Sequence, residues 1–171
     1  MDTLSHGLYG GIAFGRKSRK DYITAFLFGV MPDILAFGPV FAGSFLGLME
    51  WPSRHIEGTD ILIMPKYVYH VYNATHSLII FGIFFGLLWL FKKKKFAMLS
   101  LAWPLHILVD IPTHTLQFFP TPVLWPFSSF AFNGIRWSNP IIFIPNVIIL
   151  IVLHTIWYLK RKRAEIVIKD R

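Results

Sequence analysis

The sequence contains no cysteine, which excludes a disulfide framework, thiolate catalysis and thiolate metal sites. Any metal ion bound by this chain is held by nitrogen and oxygen. Charge is also scarce: charged residues make up 15% of the 171, with 9 Asp and Glu against 17 Lys and Arg. A chain that is 54% hydrophobic and 17% aromatic has too little polar material to clothe a soluble domain of this size. A leader of the usual form is missing too. The apolar run Leu8 to Phe14 is short, has no basic residue before it and is followed by Arg16-Lys17-Ser18-Arg19-Lys20 in place of small residues, so the N-terminus is expected to be retained. The fold class that follows is all-α: a single integral membrane domain over residues 1–171.

The net charge of +8 is not spread over a face. Arg16 to Lys20, Lys92 to Lys95 and Lys160 to Arg163 hold twelve of the seventeen basic residues, and each run abuts a hydrophobic segment. That arrangement is a topology signal, and it lacks the interleaving of basic and aromatic residues expected of a nucleic-acid groove. No nucleic-acid partner is expected.

Four spans are predicted, at about 22–46, 76–91, 96–111 and 140–159, preceded by a short N-terminal helix over Asp2 to Gly15 that covers only about 20 Å. With the three basic runs cytoplasmic, the spans alternate in direction without contradiction. The loops 49–75 and 112–139 then lie on the outer face of a prokaryotic inner membrane, and the C-terminus lies inside. Met31-Pro32-Asp33 predicts a break in the first long span. Asn73, Thr75 and Ser77 are candidate helix caps that place His76 in a first helical turn. The connection after Met49 carries Arg54, His55, Glu57 and Asp60, and its carboxylates read as loop surface.

His106 and Asp110 are four residues apart in an otherwise apolar run, so they share a helix face. Titratable groups inside a membrane are costly and are usually paired, liganded or turned toward a polar cavity. Counting from the nearest basic run, His6 is 10 residues away, His106 11, Asp33 13, Asp110 15 and His76 16. As helix these counts put all five in one layer, about 15 to 24 Å from the cytoplasmic interface. Three His and two Asp at one depth form a donor set for a divalent ion, with zinc, manganese and iron all suited to mixed imidazole and carboxylate ligands. Mutual pairing around water is the alternative. His114 falls at the outer edge of the layer, while His154 lies near the inner surface and outside the set.

Ser5-His6-Gly7, Met31-Pro32-Asp33, Asn73-Ala74-Thr75-His76-Ser77, His106 to Asp110 with His114, and Val123-Leu124-Trp125-Pro126-Phe127 occur in the order of a family of small inner-membrane proteins. The chain resembles the YdjM-like group of membrane-bound metal-dependent hydrolases, which carries the domain of unknown function 457. The resemblance covers nearly the whole chain and implies a helical membrane protein with a metal site built from His6, Asp33, His76, His106 and Asp110, with His114 as a further candidate; one or two divalent ions are expected there. More distantly, the His and Asp pattern is similar to zinc-dependent phospholipase C and P1 nuclease. Those enzymes cleave phosphodiesters and use an N-terminal tryptophan as a ligand, whereas this sequence begins Met1-Asp2.

The function expected is hydrolysis of a phosphoester in a lipid or lipid-linked substrate at the outer face. Asp110 would bridge ions or act as general base and His114 would protonate the leaving group. Arg136, and after it Arg54, is a candidate to meet phosphate from the loops, with a solvated interface residue the favoured reading of each. The alternative is a small transport or binding protein that uses the cluster as an ion or proton site. A path across the bilayer needs polar residues throughout its depth, and the inner half offers only His154, Thr24 and Ser100.

Overall fold

The computed structural model describes residues 1–52 and 64–169. It is all-helical, and no strand occurs among the described residues. Arg54, His55, Glu57 and Asp60 lie outside them.

Helix α1 (Thr3–Phe14) starts where Asp2 accepts a hydrogen bond from Ser5 N at 2.9 Å. It packs against α2 (Arg19–Phe45) so closely that only small residues fit. A Cβ on Gly29 would lie 2.5 Å from the His6 carbonyl oxygen, and one on Gly10 would lie 2.8 Å from the Ala25 carbonyl oxygen. Small residues that let backbones approach are the usual means of helix association in lipid, where no hydrophobic force acts between helices.

The break expected at Asp33 is absent: α2 runs unbroken through Pro32 and Pro39. One lost internal hydrogen bond is tolerated where neighbouring helices pack on both sides. Pro32 is fully buried, and its carbonyl accepts from Thr75 Oγ1 at 3.2 Å.

The connection expected over 49–75 contains a helix, α3 (Lys66–Thr75). Its Val68 and Tyr72 are four residues apart and are buried against Ala36 and Val40 of α2 and Phe119. Helix α4 (Leu78–Leu90) follows after a bend of 58°. Of the three candidate caps, Ser77 caps α4, its Oγ accepting from Ile79 N and Ile80 N. His76 is therefore the residue that ends α3, not a member of the first turn of α4. The bend is held from outside, with Trp103 Nε1 donating to the Thr75 carbonyl at 2.6 Å and Leu78 N to the Val123 carbonyl at 2.9 Å.

Helices α5 (Lys94–Ser100) and α6 (Ala102–Thr113) form one apolar stretch of 20 residues with a turn at Leu101. The last carbonyls of α6 would be orphaned. The amides of Gly134, Ile135 and Trp137 bind the carbonyls of His114, Pro112 and Thr113 at 2.8 to 2.9 Å. A Cβ on Gly134 would collide with the Pro112 carbonyl. Helix α7 (Pro140–Lys169) outruns the predicted span, and only 11% of its most apolar stretch is buried. A helix apolar all round and packed on one side needs an apolar solvent on the other. Among the described residues three helical stretches, α2, α5–α6 and α7, are long and apolar enough to cross a membrane, or four if the bent α3–α4 pair is one span.

Candidate metal centre

Four elements bring their polar residues to one point: α1 carries His6, α2 carries Asp33, the α3–α4 bend carries His76, and α6 carries His106 and Asp110. All five are buried, with Asp110 and His76 at 0% exposure. Each imidazole of the central pair is fixed from behind. His76 Nδ1 faces the Tyr72 carbonyl at 3.0 Å, and His106 Nδ1 faces the Gly29 carbonyl at 2.7 Å. A carbonyl accepts only, so in each neutral ring the proton sits on Nδ1 and the lone pair of Nε2 points into the centre.

Those two lone pairs face one another at 3.0 Å. Around them stand Asp110 Oδ2, 3.1 Å from His106 Nε2 and 3.5 Å from His76 Nε2, and Asp33 Oδ1, 3.6 and 3.5 Å from the same atoms. Two lone pairs and two carboxylates in a buried space repel unless a cation or a shared proton lies between them. Bonds of about 2.0 to 2.1 Å in a tetrahedral site put neighbouring ligand atoms about 3.3 Å apart, and the five separations above, 3.0 to 3.6 Å, bracket that edge. One donor atom from each of Asp33, His76, His106 and Asp110 falls within 4.8 Å of the others. This buried group can hold a metal ion.

His6 adjoins that group on the Oδ1 side of Asp110. Its ring stacks on His106 with centroids 3.6 Å apart, and its Nε2 is 2.9 Å from Asp110 Oδ1 at an angle that makes no hydrogen bond. Both ring nitrogens are buried without a hydrogen-bond partner among the described residues, as is Asp110 Oδ2. His114 reaches the same oxygen, with Nε2 3.4 Å from Asp110 Oδ1 and Nδ1 2.8 Å from the Phe119 carbonyl. The α-amino nitrogen of Met1 lies against Asp110 Oδ1 and is 3.1 Å from both Thr113 Oγ1 and His114 Nε2. Asp110 therefore stands between two groups of donors, one on each oxygen.

Several contributors carry no sequence signal of their own. Thr3 Oγ1 donates to Asp33 Oδ2 at 2.6 Å, and the Tyr72 ring stacks on His76 at 3.8 Å while its hydroxyl donates to the Phe119 carbonyl at 2.8 Å. Phe119 adopts a left-handed backbone, φ 47°, a costly conformation for a bulky residue, and its carbonyl meets both Tyr72 and His114. The four-residue step from Tyr72 to His76 is the one hint of this in the sequence. Arg136 packs over the Phe118 ring, 4.7 Å from its centroid. His154 bonds Tyr22 at 2.8 Å, apart from the centre.

Beside Asp33 and His114 a cavity of about 240 Å³ opens, walled by Phe37, Phe118, Phe119 and Trp137. A family model, that of the YdjM inner membrane proteins, matches residues 1–169. The chain belongs to the YdjM inner membrane protein family. YdjM is a family of inner membrane proteins, and this chain carries several apolar helices of the length a membrane requires. No curated protein and no solved structure matches the chain.

Proposed function

We propose that this YdjM-family protein is a membrane-embedded metal-dependent hydrolase that cleaves a phosphoester in a lipid or lipid-linked substrate. The observation that carries this reading is the facing pair His76 and His106 at 3.0 Å, backed by carbonyls and flanked by Asp33 and Asp110. That donor set fits a divalent ion, zinc first and manganese or iron next. His6 and the Oδ1 atom of Asp110 would hold a second ion. When bound, a divalent ion supplies Lewis acidity, lowering the pKa of coordinated water and polarising a phosphoryl oxygen.

The chain's own residues do the rest. Asp33, His76, His106 and Asp110 would hold the ion, Asp110 standing between the two donor groups. His114 keeps its Nδ1 proton on the Phe119 carbonyl and uses Nε2 to take a proton and return it to the leaving oxygen. The aromatic cavity walls exclude water beside Asp33 and receive the apolar part of the substrate. With the three basic runs cytoplasmic, this cavity lies in the outer half of the membrane. Arg136 lies in the outer connection and is the candidate for meeting phosphate.

The test is a phosphoester screen on detergent-purified protein reloaded with zinc or manganese, using phosphatidic acid and a soluble phosphodiester. The expected result is hydrolysis that chelator abolishes, the ion restores and Asp110→Asn removes. Metal-loaded protein that cleaves no phosphoester would favour the second reading, an ion or proton site of a transport protein. Vesicle flux assays would then be the next measurement.

A further inference from the structure

The connection between α6 and α7 does not have the composition of an aqueous loop. From Ile111 to Ile135 there is no Asp, Glu, Lys or Arg in 25 residues, and five of them are Phe. Large apolar side chains stand out from it: Phe127 is 83% exposed and Phe130 65%, with Leu116, Leu124 and Phe132 also exposed.

The depth of this segment follows from its neighbours. Leu78 N donates to the Val123 carbonyl, and Ser77 Oγ donates to the Trp125 carbonyl at 2.5 Å, so residues 123–125 sit at the N-terminus of α4. Helix α4 is 13 residues of unbroken apolar sequence, and Lys92 to Lys95 follow its other end. Those lysines belong at one membrane surface. Thirteen residues rise about 20 Å against a hydrocarbon core of about 30 Å. The N-terminus of α4 therefore stops about 10 Å short of the opposite boundary, and a tilt would leave it shorter still.

Irregular backbone at that depth must satisfy its own polar groups, and the stretch 120–128 does so in part. Pro120, Pro122 and Pro126 have no N–H to satisfy. Val123, Trp125, Phe127 and Ser128 donate to the carbonyls of Thr121, Pro122, Leu124 and Leu124. At the start of the segment, Leu116 N finds Asn133 Oδ1 at 3.1 Å.

We propose that residues 116–132 are a membrane-inserted segment, with Leu124, Phe127 and Phe130 in the acyl-chain region of the leaflet beside the metal centre. The partner is the lipid bilayer itself. The same segment supplies Phe118 and Phe119 to the cavity at Asp33 and His114, so an amphiphile dissolved in that leaflet reaches the centre sideways. This inference rests on the membrane location and stands or falls apart from the hydrolase reading.

The absence of cysteine makes the test direct. Single-cysteine variants Phe127→Cys and, as an aqueous reference, Lys17→Cys carry an environment-sensitive fluorophore in phosphatidylethanolamine and phosphatidylglycerol vesicles. Nitroxide acyl chains and aqueous iodide serve as quenchers. Insertion predicts iodide quenching at 127 about fivefold or more weaker than at 17, with strong nitroxide quenching, as for groups buried about 5 to 10 Å below the headgroups. Equal iodide quenching at the two positions would overturn the proposal. Phe127 is the more exposed side chain, so its loss removes little packing; if that variant is not monodisperse, Phe130→Cys reads the same depth.

Discussion

At the scale of single residues, the metal centre depends on which nitrogen each imidazole presents. His76 is oriented by the Tyr72 carbonyl and, at 3.1 Å, by Thr75 Oγ1. Removing that hydroxyl in Thr75→Val is expected to weaken metal affinity about 10- to 100-fold, the usual consequence of losing a group that orients a ligand, as read by competition with a chromogenic chelator. Tyr72→Phe is a contrasting case. It keeps the ring stacked on His76 and the backbone carbonyl behind it, but removes a hydroxyl bonded to the Phe119 carbonyl. Thermal stability should drop by about 1 to 2 kcal/mol while the content of the four-residue site is unchanged. The spacing of His106 and Asp110, and the depth count that joins them to His6, Asp33 and His76, are legible in the sequence because a helix rises by a fixed amount per residue. The parts played by Thr3, Tyr72 and the Phe119 carbonyl are not. Their contacts arise from chain crossings that no local pattern encodes.

At the scale of elements, glycines set the spacing of α1 and α2, and one substitution tests it. Gly29→Val would press on the His6 carbonyl, 2.5 Å from the new Cβ, and so push His6 away from Asp110. Overpacking of this kind costs about 1 to 3 kcal/mol, expected as a lower thermal midpoint together with weaker metal binding. Ser77→Ala removes a cap worth about 1 kcal/mol along with the hydroxyl bonded to Trp125, so it should loosen the connection after α6 as well as α4. Hydrogen exchange at residues 78–80 and 123–128 would read both. The four apolar stretches are legible from hydropathy and the basic runs, but two local signals are overridden. Proline at 32 does not break α2, because Pro32 is packed in and its carbonyl is bonded by Thr75. The polar, aromatic stretch before Asn73 is partly helix because Val68 and Tyr72 find a buried face on α2.

At the scale of the whole molecule, the bundle converges on a charge problem. Asp33 and Asp110 sit buried among imidazoles whose lone pairs point inward, a state that favours any ligand supplying positive charge. Binding to the folded state alone stabilises it by mass action, about 2.7 kcal/mol at a hundredfold excess over the dissociation constant. Chelation is therefore expected to lower the thermal midpoint, and readdition of the ion to restore it. The measurement that bears most directly on the metal centre is the metal content of detergent-purified protein by elemental analysis, with a His106→Ala, Asp110→Ala double variant as reference. About one or more zinc, manganese or iron ions per chain are expected in the native protein, and their loss in a variant that remains monodisperse. A native protein that stays folded and metal-free under metal-replete conditions would contradict a metal centre at these residues.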